Sequence, residues 1–124
     1  MSKKILVIDD EELVTTSLKN LLKKQGYFVV VAQSHQEAME KIKENTFDLI
    51  ISDIRMPGKD GIDTIQDIRQ YLFENNKKLI PEILITGFSD ENRYKKALEL
   101  EVKAYIKKPF NIQDLLEAVK EALN

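Results

Sequence analysis

Apolar residues along the chain fall into two alternating patterns. Five short runs, at residues 5–8, 28–31, 49–52, 83–85 and 104–106, are rich in Ile, Val and Leu and too brief for helices. Between them lie longer stretches in which apolar residues return every three or four positions. This alternation predicts buried parallel strands joined by helices. Four of the runs lead into residues suited to phosphate or metal chemistry: Asp9-Asp10, Asp53, Thr86 and Lys107-Lys108. The second run ends at Ala32-Gln33-Ser34, without such a group.

The spacing predicts a first helix over about 12–25 that turns Leu13, Val14, Leu18, Leu21 and Leu22 inward and stops at Gly26. Ser34 followed by Glu37 is a capping-box pattern, and it opens a second helix that carries Ala38 and Ile42 inward to about Asn45. A third follows Gly61, with Ile62, Ile65, Ile68 and Leu72 at helical spacing, and fades at Asn75-Asn76. The fourth covers about 91–100, with Tyr94, Ala97 and Leu98 as its apolar face. Asn111 caps the fifth, which has Asp114 in its first turn and turns Leu115, Leu116, Val119 and Leu123 inward. The order is (βα)5: an α/β fold with a doubly wound, open parallel sheet of five strands and helices on both faces. The chain is far too short for a closed eight-unit barrel.

At 124 residues the chain is expected to form a single domain, 1–124. A net charge of −2 argues against a nucleic-acid surface, which calls for a basic excess. No apolar stretch approaches the ~20 residues that span a bilayer. The apolar run after Met1-Ser2-Lys3-Lys4 stops at Asp9, too soon for a signal peptide. The absence of cysteine excludes disulfides and thiolate metal sites and makes a cytoplasmic setting the natural expectation. The lone His35 cannot build a histidine metal site and is expected at the solvated surface.

In a parallel sheet the carboxyl ends of all strands lie along one edge, where ligands bind. Asp9, Asp10, Asp53, Thr86 and Lys108 are therefore expected to meet there. Unscreened carboxylates so close repel, and one takes up a proton unless a cation is bound. An all-oxygen ligand set of this kind favours Mg2+. Removing one acid, Asp10, is expected to weaken Mg2+ binding while leaving the metal-free protein as stable or more so. The bland alternative has Asp9-Asp10 capping the first helix and Asp53 opening a turn before Pro57-Gly58; it leaves Thr86 and Lys108 on the same edge unexplained.

Four motifs, in order, resemble the receiver domain of two-component response regulators, the CheY-like family. They are Ile8-Asp9-Asp10-Glu11, Asp53-Ile54-Arg55-Met56-Pro57-Gly58, Leu84-Ile85-Thr86-Gly87 and Tyr105-Ile106-Lys107-Lys108-Pro109-Phe110. The resemblance spans residue 4 to about 123 and implies the strand order 2-1-3-4-5, which sets Asp9 and Asp10 beside Asp53. It implies that Asp53 accepts a phosphoryl group from a phosphohistidine. Mg2+ would be held by Asp10 directly, by Asp9 mostly through water, by Asp53 and by the backbone carbonyl of Arg55. Lys108 and Thr86 would hold phosphoryl oxygens, Gly87 would leave room for the group, and Lys107 would point elsewhere. Thr86 and Tyr105 match the family's switch pair. The implied function is a phosphorylation-dependent signalling switch, not a metabolic enzyme. Its implied partners are a sensor histidine kinase or histidine phosphotransfer protein and an unknown downstream protein. The face of the fourth helix, fifth strand and fifth helix would carry the signal and a homodimer contact; no membrane or direct nucleic-acid contact is expected.

Several positions depart from the family pattern. Glu101-Val102 stands where members often have Gly-Ala, and a left-handed residue 101 would cost about 1 kcal/mol. Lys108-Pro109 is cis in many members. Residues 70–81 are longer than usual, consistent with an extra turn on the third helix, and Tyr71, Leu72 and Phe73 there are expected in the core. Arg55 and Phe88 lie two positions beyond Asp53 and Thr86, where neither orients an attacking water, so slow self-dephosphorylation is expected. An aspartate-nucleophile phosphohydrolase is one competing reading, although Arg55 stands where such enzymes usually place an acid. A flavodoxin-like cofactor binder would want a phosphate loop where Asp9-Asp10-Glu11-Glu12 stands. A receiver-like interaction module that is never phosphorylated is the third.

Overall fold

The computed structural model describes residues 2–87 and 91–124. Among them five strands alternate with five helices: β1 Lys4–Ile8, α1 Glu12–Lys24, β2 Phe28–Ala32, α2 His35–Glu44, β3 Leu49–Asp53, α3 Gly61–Glu74, β4 Glu82–Thr86, α4 Glu91–Glu99, β5 Ala104–Lys107 and α5 Ile112–Leu123. The strands form one parallel sheet in the order β2-β1-β3-β4-β5. This is the predicted architecture.

Both faces of the sheet are apolar, and successive side chains divide between them. Leu6 and Ile8 of β1, Ile50 of β3 and Leu84 of β4 pack with Ala38 and Ile42 of α2, Ile62, Ile65 and Ile68 of α3 and Ala97 of α4. Ile5, Val7, Leu49, Ile51, Ile83 and Ile85 pack with Leu18 and Leu22 of α1 and Leu115, Val119 and Ala122 of α5. Each fully buried Leu, Ile or Val among them contributes about 1.5–3 kcal/mol relative to exposure. Three helices thus cover one face and two the other.

Helix ends follow local chemistry. Gly26, at φ 93°, ends α1 in a left-handed turn that an L side chain would strain. Ser34 accepts a hydrogen bond from Glu37 N, while the Glu37 carboxylate reaches back to Gln33 N rather than to the cap residue itself. Asp60 and Asp63 make a full reciprocal capping box at α3. Asn111 Oδ1 accepts from both Gln113 N and Asp114 N.

The structure corrects four sequence expectations. Leu13 does not turn inward; it is 84% exposed, because at 3.6 residues per turn it lies about 140° around α1 from Leu18, off the stripe that Val14, Thr15, Leu18 and Leu22 share. Thr15 takes the buried position, its hydroxyl donating to Glu12 O at 3.0 Å. His35 is only partly solvated: its Nε2 lies 2.8 Å from Asp67 Oδ2, which also meets Lys59 Nζ at 3.1 Å. Of the three apolar residues ending α3, Leu72 is buried and Tyr71 packs on the core, but Phe73 is 79% exposed. Leu98 of α4 is likewise exposed. Glu101 is left-handed, at φ 53°, and Lys108-Pro109 is cis. Among the described residues no helix is long and apolar enough to cross a membrane.

Candidate functional site

Strand register sets the site. Ile8 pairs with Ser52 and Asp53 with Ile85, so the residues leaving β1 and ending β3 lie level with each other. Thr86 pairs with Lys107, which puts Lys108 just beyond the edge. A cleft of about 920 Å³ opens there, lined among others by Asp10, Asp53, Arg55, Thr86, Gly87 and Lys108.

Asp53 is buried, and both of its oxygens are engaged. Oδ2 accepts from Lys108 Nζ at 2.8 Å and Oδ1 from Arg55 N at 3.3 Å. Asp9 is buried beside it, with Oδ1 accepting from Glu11 N at 3.0 Å. Burial is the main cause that pushes the Asp9 carboxyl up to about 7, and the Asp53 charge adds to it against the Glu11 N–H bond. Asp10 is exposed at the rim. Carboxylate oxygens of Asp9, Asp10 and Glu11 lie within 4.8 Å of one another. An acidic group crowded enough to keep a proton near neutral pH fits a divalent cation, which would replace that proton.

The bland capping alternative fails for Asp10. The N-cap of α1 is Glu11, which makes no side-chain cap hydrogen bond. Thr86 is buried at the end of β4. Lys107 turns away, its ammonium 5.4 Å from the Tyr94 ring centre. Tyr105 is half-buried and stands two residue pairs below Thr86 and Lys107, opposite Leu84, outside the cleft lining. Its hydroxyl donates to Ala97 O at 2.7 Å and accepts from Val102 N at 3.3 Å, tying the ring to the C-terminal end of α4. Phe88 lies outside the described residues.

Four residues of the site were not legible beforehand. Glu11 completes the acidic trio. Asp60 and Arg93 line the cleft as an ion pair between α3 and α4. Gly61 lets the start of α3 press on β3: a Cβ there would lie 2.1 Å from Asp53 O. The Asp60-x-x-Asp63 spacing marks a helix start, but the Arg93 pairing spans 33 residues and leaves no local trace.

The family model of the response regulator receiver domain matches residues 5–120. The chain is 33% identical over 123 residues to the transcriptional regulatory protein PdtaR of Mycobacterium tuberculosis, covering 98% of this chain and 57% of that protein. It is 36% identical over 123 residues to the alkaline phosphatase synthesis transcriptional regulatory protein PhoP of Bacillus subtilis, covering 99% of this chain and 49% of that one. The chain spans about half the length of these curated relatives. Among solved structures, a CheY-like response regulator receiver domain protein from Methanospirillum hungatei superposes with a TM-score of 0.87 at 31% identity, covering 99% of this chain and 94% of that one. The response regulator TrrA of Thermotoga maritima, solved in complex with Mg(2+)-BeF, gives 0.82 at 32% identity and covers 98% and 99%.

Proposed function

Because the chain belongs to the response regulator receiver domain family, and so to two-component signalling, we propose that residues 1–124 form one receiver domain that takes a phosphoryl group onto Asp53. The observation that carries this reading is the buried Asp53 carboxylate held by Lys108 beside the acids of β1. The donor is a phosphohistidine of a sensor kinase or phosphotransfer protein in a cytoplasmic setting. An Asp53 oxygen attacks phosphorus, the new O–P bond forms as the N–P bond breaks, and the imidazole leaves with the electron pair.

Each neighbour has a role in that transfer. Lys108 holds the carboxylate in place and then a phosphoryl oxygen, and the Thr86 hydroxyl donates to another. Gly87 leaves space at the cleft wall. Asp9, Asp10, Asp53 and the Arg55 carbonyl are the groups that would hold Mg2+, which when bound neutralises charge on carboxylate and phosphoryl oxygens. The Mg(2+)-BeF complex of TrrA, whose fold and length match, supports that assignment. Output passes through α4, β5 and α5, because the Tyr105 hydroxyl is tied to α4 and Thr86 adjoins β5. That face meets a downstream protein or a second copy of the chain.

Intact mass after incubation with Mg2+ and a small phosphodonor tests the reading. A gain of one phosphoryl group that Asp53→Asn abolishes is expected. An unchanged parental mass would favour an unphosphorylated interaction module, and continuous consumption of the donor without a phosphorylated protein would favour a phosphohydrolase.

A further inference from the structure

Arg93, the third residue of α4, reaches the N-terminus of α3. Its Nε lies 2.9 Å from Asp60 Oδ2, Nη2 bonds the same oxygen, and Asp63 Oδ1 is 3.8 Å away. The other Asp60 oxygen is already committed, since Oδ1 accepts from Asp63 N at 3.0 Å. One carboxylate thus caps α3 through one oxygen and tethers α4 through the other. Asp60 is itself fixed to the backbone that carries Asp53. Gly61 N donates to Ile54 O at 2.8 Å, and there is no room for a Cβ against Asp53 O. Arg93 belongs to a different helix and reaches this wall by its side chain. Both residues line the same cleft as Asp53, Thr86 and Lys108.

We propose that Arg93 is a phosphoryl ligand held in reserve: a phosphoryl group on Asp53 draws its guanidinium off Asp60, and α4 moves with it. The proposal rests on the reading of Asp53 as phosphoacceptor. A phosphoryl group carries about −1.5 to −2 charge and three acceptor oxygens, whereas Asp60 offers one charge and one uncommitted oxygen. A planar guanidinium fits phosphate through two parallel hydrogen bonds. Both partners are partly buried, so salt screens the competition weakly. Breaking the tether removes one restraint at the start of α4, at the opposite end of that helix from the carbonyls that hold Tyr105.

Calorimetric titration with beryllofluoride, a phosphoryl mimic, in Mg2+ tests this on the whole chain. Arg93→Gln is expected to weaken binding about tenfold, as loss of a charge-assisted bond does. Asp60→Asn keeps a good cap and removes the competing charge, so it is expected to bind more tightly than the parent. The double variant should lose that gain. Amide exchange at residues 94–98 should rise on beryllofluoride binding in the parent and show no further rise in Arg93→Gln. If Arg93→Gln does not fold, Arg93→Lys keeps the charge without the fork, and intermediate weakening is expected. Parental affinity in the Arg93 variants, with binding still lost in Asp53→Asn, overturns the role of Arg93 and leaves the receiver reading standing. No binding by the parent overturns both.

Discussion

Lys108 Nζ lies 2.8 Å from Asp53 Oδ2, so the carboxylate ending β3 is met by a cation delivered from beyond β4. Burial works against the ammonium, but the hydrogen bond and charge of Asp53, with help from Asp9, hold its pKa above the ordinary value. Removing this cation leaves the acids more repulsive toward each other and more attractive to a divalent ion. Lys108→Ala is therefore expected to bind Mg2+ roughly three- to tenfold more tightly while taking up less phosphoryl group. Calorimetry and intact mass read the two effects separately. Unchanged Mg2+ affinity would show that Lys108 does not set the charge of the cleft.

Asp9 makes the metal-free protein pH-sensitive. Its folded pKa of about 7 lies above the ordinary 3.8. Between those values the folded protein keeps a proton that the unfolded chain has lost, so stability falls as pH rises through the window and levels off above it. The slope from this group is at most about 1.4 kcal/mol per pH unit. Urea unfolding in chelator from pH 4 to 8 should show the fall, and Asp9→Asn should flatten it. The relief expected from removing an acid thus belongs to Asp9, the buried member of the pair, more than to exposed Asp10. Equal slopes in parent and variant would contradict this.

Among the described glycines, Gly61 is the one at which an added methyl group meets the backbone of the site. In Gly61→Ala the new carbon would sit 2.1 Å from Asp53 O, and neither partner is a flexible side chain. Overpacking costs about 1–3 kcal/mol, and a backbone clash belongs at the upper end. Phosphoryl uptake should fall too, because Asp53 must shift. Gly87→Ala, with open space around its Cβ, should unfold at the parental urea concentration. Parental stability of Gly61→Ala would mean that the start of α3 yields.

Glu82 opens β4 yet is buried, and Arg69 of α3 grips it through two bonds of 2.8 and 2.7 Å. Arg69→Met strands that carboxylate, at a cost of about 3–5 kcal/mol. Arg69→Met combined with Glu82→Leu should recover most of the loss, since no uncompensated charge remains. Denaturant midpoints decide it; a double variant as unstable as the single one would show that Arg69 acts through its packing.

The five strands were legible because buried parallel strands are continuous runs of apolar residues, and nothing else in the chain has that composition. The edge residues Asp9, Asp53, Thr86 and Lys108 followed from where those runs stop. Local caps at Ser34 and Asn111 were legible for the same reason: the partner lies two or three residues away. Pairings across the fold were not. His35–Asp67, Arg69–Glu82 and Arg93–Asp60 join residues 32, 13 and 33 apart, each on a different element from its partner. Apolar identity misled at Leu13, which lies well off the stripe defined by Leu18 and Leu22 and so faces away from the sheet. Thr15 is the converse case, a polar residue buried because its hydroxyl bonds within its own helix.

Chemical trapping of the phosphorylated residue tests the central claim most directly. Borohydride reduces an acyl phosphate to the alcohol, so an aspartyl phosphate is converted to homoserine at the residue that carried it. After incubation with Mg2+ and a small phosphodonor, reduction and peptide sequencing should find homoserine at position 53 alone, and in none of the peptides from Asp53→Asn. Homoserine at position 9 or 10, or a stable phosphoryl group that resists reduction, would contradict the assignment of Asp53 as the phosphoacceptor.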